Sequence, residues 1–316
     1  MTFAARDRVW VAGRGTLVGA ALQRVLARRD GPEALDAPEL DLLDRRAVAR
    51  FVARARPDAI VVAGGPSGGI GANQRRPATL MHDNLLIACH VLDAAHRHGV
   101  RKVLYLASSC AYPRDTAQPM ATSALLAGPL EPTSRPYAVA KLTGVVLCEA
   151  YRLQHGAHFV AAVPADVYGP DDAFSVEESH VVGALVHRMV EAERTGAATL
   201  DIWGTGEARR DFVYADDVAE ACLLVLARYD GEEPINLSAG VEVSIRALAE
   251  TLREITGFRG ALRFDATRPD GAPRKTLDGT ALGALGWRPR TSLRDGLAAT
   301  VAAYRRRTDA APAIAV

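Results

Sequence analysis

Near its start the sequence reads Val9-Trp10-Val11-Ala12, followed by Gly13-Arg14-Gly15-Thr16-Leu17-Val18-Gly19. The first four residues form a continuous apolar run, which predicts a buried β-strand. Gly13 suits a tight turn, and Gly19 lets a following helix pack closely on the strand. A strand, a glycine-rich turn and a helix in this order bring backbone N–H groups and the positive end of a helix dipole together. The segment therefore predicts a site for the pyrophosphate of a dinucleotide.

Further apolar runs follow, separated by helical patterns, at 59–63, 103–107 and 159–164. Continuous apolar strands that alternate with helices indicate a parallel sheet covered on both faces. The sequence thus predicts an α/β fold, namely a Rossmann-like doubly wound parallel sheet. Because such sheets bind ligands outside the carboxyl ends of their strands, one crevice should collect the residues that follow the strands: Gly13, Gly64, Ser108 and Pro164.

The pattern changes after about residue 170, where polar loops and shorter elements begin. We expect a dinucleotide-binding domain over residues 1–170. We expect a smaller C-terminal substrate-binding lobe mainly over residues 171–307, with elements that return to the first domain. Residues 308–316 are expected to form a flexible tail.

The composition excludes several classes of protein. The chain has 316 residues, 24% of them charged, and a net charge of +1, so no basic surface for nucleic acid or a membrane is indicated. Its 4 cysteines lack the paired spacing of a zinc site or a disulfide framework. Neither a signal peptide nor an apolar run of transmembrane length is found. We expect a cytoplasmic protein with no metal.

Tyr137 and Lys141 are four residues apart in Pro136-Tyr137-Ala138-Val139-Ala140-Lys141. On a helix this spacing directs the phenol and the ammonium to one face. A nearby cation is expected to lower the pKa of the phenol toward a useful range, and Ser108 can hydrogen-bond a carbonyl that is being reduced. This set indicates hydride transfer without a metal. The alternative is a surface tyrosine and a solvated lysine on an amphipathic helix.

With these residues the chain resembles the extended short-chain dehydrogenases/reductases, and within them the GDP-L-fucose synthase family. The resemblance covers about Val9 to Tyr304. It is carried by Gly68-Gly69-Ile70, Ser108-Ser109-Cys110, Gln118-Pro119-Met120, Leu130-Glu131-Pro132-Thr133, Tyr168-Gly169-Pro170, Ser179-His180-Val181, Trp203-Gly204-Thr205-Gly206 and the stretch 264–277.

The resemblance implies a nucleotide-linked 4-keto-6-deoxyhexose as substrate, with Tyr137 as the acid for C4, Lys141 on the nicotinamide ribose and Ser108 on the carbonyl. It also implies that Cys110 and His180 move protons at C3 and C5. Hydrogens beside a ketone are acidic, and inversion needs a base on one face and an acid on the other, which a thiol and an imidazole can share at neutral pH. The alternatives are an inert buried thiol and a loop histidine bonded to backbone.

The same resemblance implies the binding residues. The cofactor contacts are Gly13, Arg14, Gly15, Thr16, Leu17, Val18, Gly19, Gly64, Leu106, Ala107, Tyr137, Lys141, Pro164, Asp166, Val167 and His180. The substrate contacts are Gly69, Ser109, Arg188, Trp203, Arg210 and Asp270. A solvated helix position for Arg188 and a core position for Trp203 are the alternatives.

Two positions depart from the family pattern. Thr16 stands where the family has glycine, and its Cβ is expected to crowd the pyrophosphate. Asp166 replaces an asparagine, and a carboxylate near phosphates is repulsive unless it is protonated or turned away. For the cofactor, Arg14 favours NADP(H) by pairing with a 2′-phosphate, whereas Asp36 would favour the unphosphorylated ribose of NAD(H).

Three functions follow as hypotheses. The first is an NADP(H)-dependent epimerase/reductase that forms GDP-L-fucose or a close analogue. The second is a 4-ketoreductase that acts on a dTDP-4-keto-6-deoxyhexose without epimerisation. The third is a non-catalytic dinucleotide-sensing protein, against which the intact Ser108, Tyr137 and Lys141 argue. The family resemblance also implies a homodimer formed by a helix pair.

Overall fold

The structure of the chain, a computed structural model, describes residues 7–35, 37, 40–175, 179–268 and 270–310. The strands are β1 (Arg8–Ala12), β2 (Glu33–Ala34), β3 (Ala59–Val62), β4 (Lys102–Leu106), β5 (Phe159–Pro164), β6 (Asp166–Tyr168), β7 (Thr199–Trp203), β8 (Arg209–Tyr214), β9 (Ile235–Leu237), β10 (Glu242–Ser244), β11 (Ala261–Asp265) and β12 (Arg274–Lys275). The helices are α1 (Leu17–Ala27), α2 (Arg45–Ala55), α3 (Ile70–Arg75), α4 (Pro77–Arg97), α5 (Arg135–His155), α6 (Val181–Arg194), α7 (Ala215–Arg228), α8 (Ile245–Thr256), α9 (Thr280–Ala284) and α10 (Leu293–Ala310).

A six-stranded parallel sheet in the order β2-β1-β3-β4-β5-β9 forms the centre of the protein. Its inner strands are buried along their length because helices cover both faces. Helix α1 packs against α7, while α4 packs against α2 and α5. The predicted Rossmann-like α/β fold class is confirmed.

A second core lies in the later part of the chain. It is formed by apolar side chains of α6, α8 and α10, among them Met189, Leu248 and Leu297. Beside it, β8 pairs with β6, β10 and β12, and β7 pairs with β11. These strands are short, and the side chains at their ends lie close to one another. Some of them contribute to the candidate site.

The two hydrophobic cores are not separated at a single position in the sequence. Strand β9 and helix α7 follow residue 171 yet pack into the first core. The division of the chain near residue 170 stays a prediction. Helix α10 continues to Ala310, so the first three residues of the predicted tail are helical, and residues 311–316 lie outside the described part of the chain.

Candidate active site

Four loops meet at the carboxyl edge of the central sheet. Gly13 follows β1, Gly64 comes shortly after β3, Ser108 shortly after β4, and Pro164 ends β5. These strands are consecutive neighbours in the sheet, and the chain order reverses between β1 and β3. A reversal of this kind opens a crevice outside the strand ends. The loops therefore border one crevice.

Two glycines allow the turn after β1 to close. Gly13 has φ +96°, in the left-handed region, and a Cβ there would lie 2.2 Å from the Cα of Gly64. A Cβ on Gly19 would lie 2.0 Å from the carbonyl oxygen of Gly13. Gly15 differs, since a Cβ at that position meets no atom within 4 Å. The turn thus requires glycine at 13 and 19, and it sets the positive end of α1 at the crevice.

Thr16 is the N-cap residue of α1. Its hydroxyl oxygen accepts a hydrogen bond of 3.1 Å from the N–H of Gly19. The same hydroxyl lies 2.9 Å from the carbonyl oxygen of Gly13 and 3.0 Å from that of Ala63, and donates to one of them. The side chain faces the backbone of the turn, which argues against the expected crowding of a pyrophosphate. Leu17 and Val18 form the first turn of the helix.

Arg14 reaches across to the segment after β2. Its Nη1 donates a hydrogen bond of 2.5 Å to the carbonyl oxygen of Ala37. In dinucleotide-binding folds this strand end recognises the ribose. Arg14 therefore lies where a contact with a 2′-phosphate is predicted. Asp36, the competing candidate, lies outside the described residues.

Ser108 and Tyr137 are brought together by β4 and α5. Ser108 caps a short 3-10 helix, Ser109–Ala111, and its hydroxyl accepts a hydrogen bond of 3.3 Å from the N–H of Cys110. Tyr137 lies in the first turn of α5; burial raises the pKa of its phenol, and the nearby hydroxyl of Ser108 opposes that shift. A carbonyl oxygen held between them would meet two hydroxyl groups.

Lys141 lies one turn after Tyr137 and is buried with it. Its Nζ donates a hydrogen bond of 3.0 Å to the carbonyl oxygen of Leu106, at the end of β4. Ala107 follows, and its N–H is bonded to the carbonyl oxygen of Ala162 on β5. The i and i+4 spacing thus directs both side chains of α5 to the end of β4.

Burial governs the ionisation of this pair. Tyr137 is 9% exposed, and burial raises the pKa of its phenol far above the usual value; Cys110 raises it further and Ser108 lowers it. Burial also lowers the pKa of Lys141 to about 8. The expectation that Lys141 lowers the pKa of the phenol is wrong, because desolvation dominates and the ammonium is bonded to a backbone carbonyl. A phenol that stays protonated at neutral pH suits a proton donor.

Cys110 and His180 come from two segments that are distant in the sequence. Cys110 lies in the 3-10 helix after β4, and His180 is the N-cap residue of α6. The imidazole is open to solvent, but the crevice walls surround it, and this enclosure lowers its pKa. Asp166 opposes that shift and Lys275 adds to it. Burial lowers the pKa of Lys275, but Asp166 and Cys110 raise it above its usual value.

Gly69 brings the loop after β3 against the segment that carries His180. A Cβ on Gly69 would lie 2.6 Å from the carbonyl oxygen of Ser179. Ser179 is buried, accepts a hydrogen bond of 2.7 Å from the N–H of Ser175 and donates to the carbonyl oxygen of Ala173. The residue before His180 is therefore held from two sides.

Asp166, at the start of β6, is paired with two cations. One carboxylate oxygen lies 2.7 Å from Nζ of Lys275, and the other lies 3.8 Å from Nε of Arg210. Burial would raise the pKa of the carboxyl, but Lys275 and Arg210 hold it below its usual value. The carboxylate is ionised and turned onto these cations, which removes the repulsion expected toward phosphates. Its next neighbour along β6 is Val167, which is half-buried.

Lys275 is a site residue that the sequence reasoning missed. A usable signal was present, because Lys102, Lys141 and Lys275 are the only lysines among the 38 basic side chains of the chain. Lys102 is 1% exposed and Lys141 6% exposed, and the Lys275 side chain is 22% exposed. All three lysines are thus buried or half-buried, and the exposed basic side chains of the described residues are arginines.

Four of the six predicted substrate residues belong to the later part of the chain, namely Arg188, Trp203, Arg210 and Asp270. Trp203, at the end of β7, is 61% exposed and carries the guanidinium of Arg268 at 5.1 Å from its ring centroid. Its predicted alternative, a core position, is therefore wrong. Arg188 donates to the carbonyl oxygen of Asp201, two residues before Trp203. Ser109 is buried.

Asp270 links this group to the crevice. Its carboxylate accepts hydrogen bonds of 2.8 and 2.9 Å from the N–H and hydroxyl of Thr205. Its carbonyl oxygen accepts a bond of 3.4 Å from Arg210, which also contacts Asp166. A ligand that extends from the crevice toward Trp203 would pass Arg210.

Two findings concern only the described residues. Within these ranges, no three His, Cys, Asp or Glu side chains are grouped so that they could hold a metal ion. None of the helices in the same ranges is long and apolar enough to cross a membrane.

Comparisons with known proteins agree with the fold and the site. The profile of the "NAD dependent epimerase/dehydratase family" matches residues 9–240. The chain is 44% identical to GDP-L-fucose synthase 1 of Arabidopsis thaliana over 93% of this chain and 91% of that protein. It is 42% identical to GDP-L-fucose synthase of Escherichia coli (strain K12) over 93% of this chain and 95% of that protein.

The fold is also similar to that of a solved structure. MlghC, a GDP-mannoheptose C4 reductase from Campylobacter jejuni with NADP bound, has a TM-score of 0.85 and 26% identity, and the match covers 95% of this chain and 99% of that one. The resemblance stated from the motifs is confirmed. The chain belongs to the NAD dependent epimerase/dehydratase family of extended short-chain dehydrogenases/reductases and is an enzyme of that family.

Proposed function

We propose that this protein is an NADP(H)-dependent 3,5-epimerase and 4-reductase of a GDP-linked 4-keto-6-deoxyhexose, the reaction of a GDP-L-fucose synthase. One observation carries the proposal. A single crevice holds a set for carbonyl reduction, namely Ser108, Tyr137 and Lys141, beside a thiol and an imidazole suited to inversion. The names of the relatives supply the substrate class.

The crevice fits a nicotinamide dinucleotide. The Cα atoms of Gly13 and Gly64 approach so closely that a Cβ would fill the gap, which leaves a turn of bare backbone at the positive end of α1. Residues 13–19 would hold the pyrophosphate, and Arg14 would contact the 2′-phosphate of NADP(H). Lys141 would hold the nicotinamide ribose. When bound, the cofactor supplies the hydride.

Reduction needs a proton at the carbonyl oxygen as negative charge develops there. Tyr137 donates its phenolic proton to this oxygen, and burial keeps that proton in place at neutral pH. Ser108 donates a second hydrogen bond to the same oxygen. The phenolate that remains then regains a proton from solvent, while Lys141, charged below about pH 8, stays on the ribose.

Epimerisation precedes reduction, because the hydrogens at C3 and C5 are acidic only while C4 is a ketone. Cys110 and His180 serve as the acid and base on the two faces of the sugar. Arg188, Trp203, Arg210 and Asp270 bind the nucleotide diphosphate and its surroundings. Arginine suits the diphosphate because its planar fork donates two bonds to one acceptor.

The solved relative named as a C4 reductase favours a second candidate, reduction without epimerisation. The test supplies GDP-4-keto-6-deoxymannose or dTDP-4-keto-6-deoxyglucose, each with NADPH and with NADH, in D₂O, and follows the products by NMR. We expect NADPH-dependent conversion of the GDP sugar with deuterium at C3 and C5. Reduction without deuterium at these carbons would establish the ketoreductase instead, and turnover of the dTDP sugar alone would overturn the GDP assignment.

We further propose a homodimer that forms through α4 and α5, in the cytoplasm. The two helices pack side by side, and α5 exposes Val146 and Leu153, which are seven residues apart and therefore share one helix face. An apolar stripe of this kind is covered when two such pairs meet as a four-helix bundle. Light scattering of the wild-type protein and of Leu153→Glu tests this, with a monomer expected for the variant.

A further inference from the structure

The side chain of Tyr105 lies between strand β4 and helix α5, next to Lys141. Tyr105 is 1% exposed. The ammonium of Lys141 lies over its ring, with Nζ 5.3 Å from the ring centroid. The same Nζ donates a hydrogen bond of 3.0 Å to the carbonyl oxygen of Leu106, the next residue of the strand. Two consecutive residues of β4 therefore hold one ammonium, the first through its ring and the second through its backbone.

Gly144 allows the ring to lie this close to α5. It follows Lys141 by three residues and therefore shares that face of the helix. A Cβ on Gly144 would lie 2.1 Å from Cζ of Tyr105 and 2.5 Å from its hydroxyl oxygen. Glycine in the interior of a helix is destabilising relative to alanine, so its use here is explained by the room that it leaves for the ring.

The alternation of side chains along β4 separates two buried lysines. Tyr105 points to α5, whereas Lys102, three residues earlier, points to the opposite face of the sheet. There its Nζ donates to the carbonyl oxygens of Val225 and Tyr229, at the end of α7. Lys102 is thus bonded to carbonyl oxygens, and Lys141 to a carbonyl oxygen and an aromatic face.

We propose that Tyr105 is a positioning residue for the reduction, because its ring keeps Lys141 in the ammonium form and holds it toward the nicotinamide ribose. Its role rests on the proposed function, in which Lys141 binds that ribose. At 1% exposure Tyr105 is closed off from the crevice, so it acts through Lys141 and not on the cofactor directly.

The surroundings of Lys141 explain why the ring matters. Burial lowers the pKa of this amine to about 8, and among the described residues no carboxylate opposes that effect. The titratable groups packed around the amine and the ring are phenols and thiols, namely Tyr137 and Cys148 on α5, Cys89 on α4 and Cys110 in the 3-10 helix. Burial raises the pKa of the first three of these groups.

An aromatic ring suits such a place. Its face is the negative pole of the ring quadrupole, and it attracts a cation without carrying a charge that would itself have to be buried. A carboxylate at the position of Tyr105 would need a partner of its own. The ring therefore favours the ammonium form of Lys141 in addition to the hydrogen bond with Leu106.

The two contacts also set the place of the ammonium. Leu106 is the last residue of β4, so Nζ is held at the carboxyl end of the strand, where the crevice opens. An ammonium has three N–H groups, and those that Leu106 does not accept can donate to the hydroxyl groups of a ribose. Loss of the proton removes one donor and the charge, and binding of the cofactor should then weaken.

The experiment follows the titration of Lys141 by NMR of the protein labelled with ¹³C at Cε of lysine. Lys102, Lys141 and Lys275 are the only lysines of the chain, so the spectrum is simple, and Lys141→Met identifies the signal of Lys141. The signal of Lys102 serves as an internal reference, since this buried lysine lies on the other face of the sheet.

Three variants of Tyr105 are compared with the wild type. Tyr105→Leu and Tyr105→Met remove the ring, and methionine fills the space with a flexible side chain. Tyr105→Phe keeps the ring and removes a hydroxyl that is buried without a hydrogen-bond partner among the described residues. The matched control is Phe159→Leu, because Phe159 is a buried aromatic residue of the neighbouring strand β5 that packs on Tyr151.

We expect both variants without a ring to move the midpoint of Lys141 to lower pH by about one unit. In Tyr105→Phe the midpoint should stay within about 0.3 unit of the wild-type value. Phe159→Leu should leave the midpoint in place, and the signal of Lys102 should titrate alike in all variants.

Binding of NADPH, measured by its fluorescence, gives a second readout. At pH 8 the charged fraction of Lys141 should fall from about one half to about one tenth in the variants without a ring, and the dissociation constant should rise about fivefold. At pH 6 the amine is charged in every variant, so the constant should change little. A purely structural loss would weaken binding at both pH values.

Two failures are distinguishable. An unmoved midpoint in both variants without a ring overturns the role of Tyr105, and so does an equal fall in Tyr105→Phe, which would make the hydroxyl responsible. If the midpoint falls as expected but NADPH binding changes equally at pH 6 and pH 8, or at neither, the proposed place of Lys141 on the ribose is wrong.

Discussion

The ammonium of Lys141 donates a hydrogen bond of 3.0 Å to the carbonyl oxygen of Leu106, at a place where both residues are buried. The protein thus holds a charge in a poorly solvated position, bonded to a backbone carbonyl oxygen. Burial lowers the pKa of Lys141 from 10.5 to about 8. The arrangement favours function over stability, because the folded protein binds this proton less tightly than the unfolded chain.

The first prediction concerns Lys141→Met. Because the folded pKa is the lower one, stability rises as the pH rises from about 8 to 10.5, and the ammonium costs about 3 kcal/mol below this window. The lost hydrogen bond is worth about 1 kcal/mol. We expect the variant to be more stable than the wild type at pH 7, to lose that advantage near pH 10.5, and to be inactive. Urea unfolding at both pH values measures the difference in stability between the variant and the wild type. If this difference is the same at pH 7 and at pH 10.5, Lys141 does not carry a buried charge.

The second prediction separates the two chemical steps at Gly69. A methyl group there would lie 2.6 Å from the carbonyl oxygen of Ser179, so Gly69→Ala must displace the segment that ends in His180. We expect deuterium entry at C3 and C5 to fall at least tenfold, because proton transfer is sensitive to small displacements. Hydride transfer to a substrate that needs no inversion should fall much less.

The control for this change is Gly283→Ala. Gly283 lies in open space in α9, with no atom within 4 Å of an added Cβ, and the change should leave the ratio of exchange to reduction unchanged. Equal losses of both steps in Gly69→Ala would show that Gly69 acts on substrate binding as a whole rather than through His180.

The third prediction concerns stability at Asp172, a buried carboxyl next to α6. Burial raises its pKa to about 7, above the unfolded value of 3.8. Stability is therefore greatest below about pH 4 for this group and is lost as the pH rises toward 7. Asp172→Asn should raise the free energy of unfolding at pH 8 by up to about 4 kcal/mol, with no gain at pH 4. Thermal unfolding at the two pH values measures this difference.

Its neighbour Asp171 provides the contrast. That carboxylate pairs with Arg24 and Arg307, so Asp171→Asn should lower stability at pH 8 rather than raise it. A destabilised Asp172→Asn at pH 8 would mean that its carboxylate is better paired than the structure shows.

The fourth prediction tests Thr16 as a helix cap. Thr16→Ala removes the acceptor for the N–H of Gly19 and should lower the free energy of unfolding by about 1 kcal/mol. Thr16→Ser keeps the hydroxyl and should therefore retain nearly all of the free energy of unfolding. Thermal unfolding of both variants, with and without NADPH, measures the change. If serine fails as badly as alanine, the methyl group rather than the hydroxyl matters at this position.

The central parallel sheet could be predicted from the sequence because its strands are apolar throughout. Val9–Ala12 and Ala59–Val62 are buried on both sides, and only a parallel sheet between helices requires such runs. The place of Tyr137 and Lys141 followed equally from helical periodicity. Local patterns of this kind need no knowledge of distant residues.

The features that were missed depend on contacts between distant segments. Lys275 lies in a strand of two residues that has no periodicity of its own, and its partner Asp166 is far away in the sequence. The direction of the Tyr137 pKa was wrong because a helical spacing shows which groups share a face but not how much water remains around them. The choice between an exposed and a core Trp203, which the sequence left open, likewise depends on what the lobe leaves uncovered.

The scarcity of lysine has a practical consequence. Apart from the amino terminus, an amine-selective reagent has three possible targets in this chain, and the most accessible of them, Lys275, borders the crevice. Acylation or pyridoxal labelling at alkaline pH, where this amine loses its proton, would therefore place a label at the crevice without any engineering. The extent of labelling, read by mass spectrometry, would report occupancy of the crevice by any anionic ligand that covers this side chain.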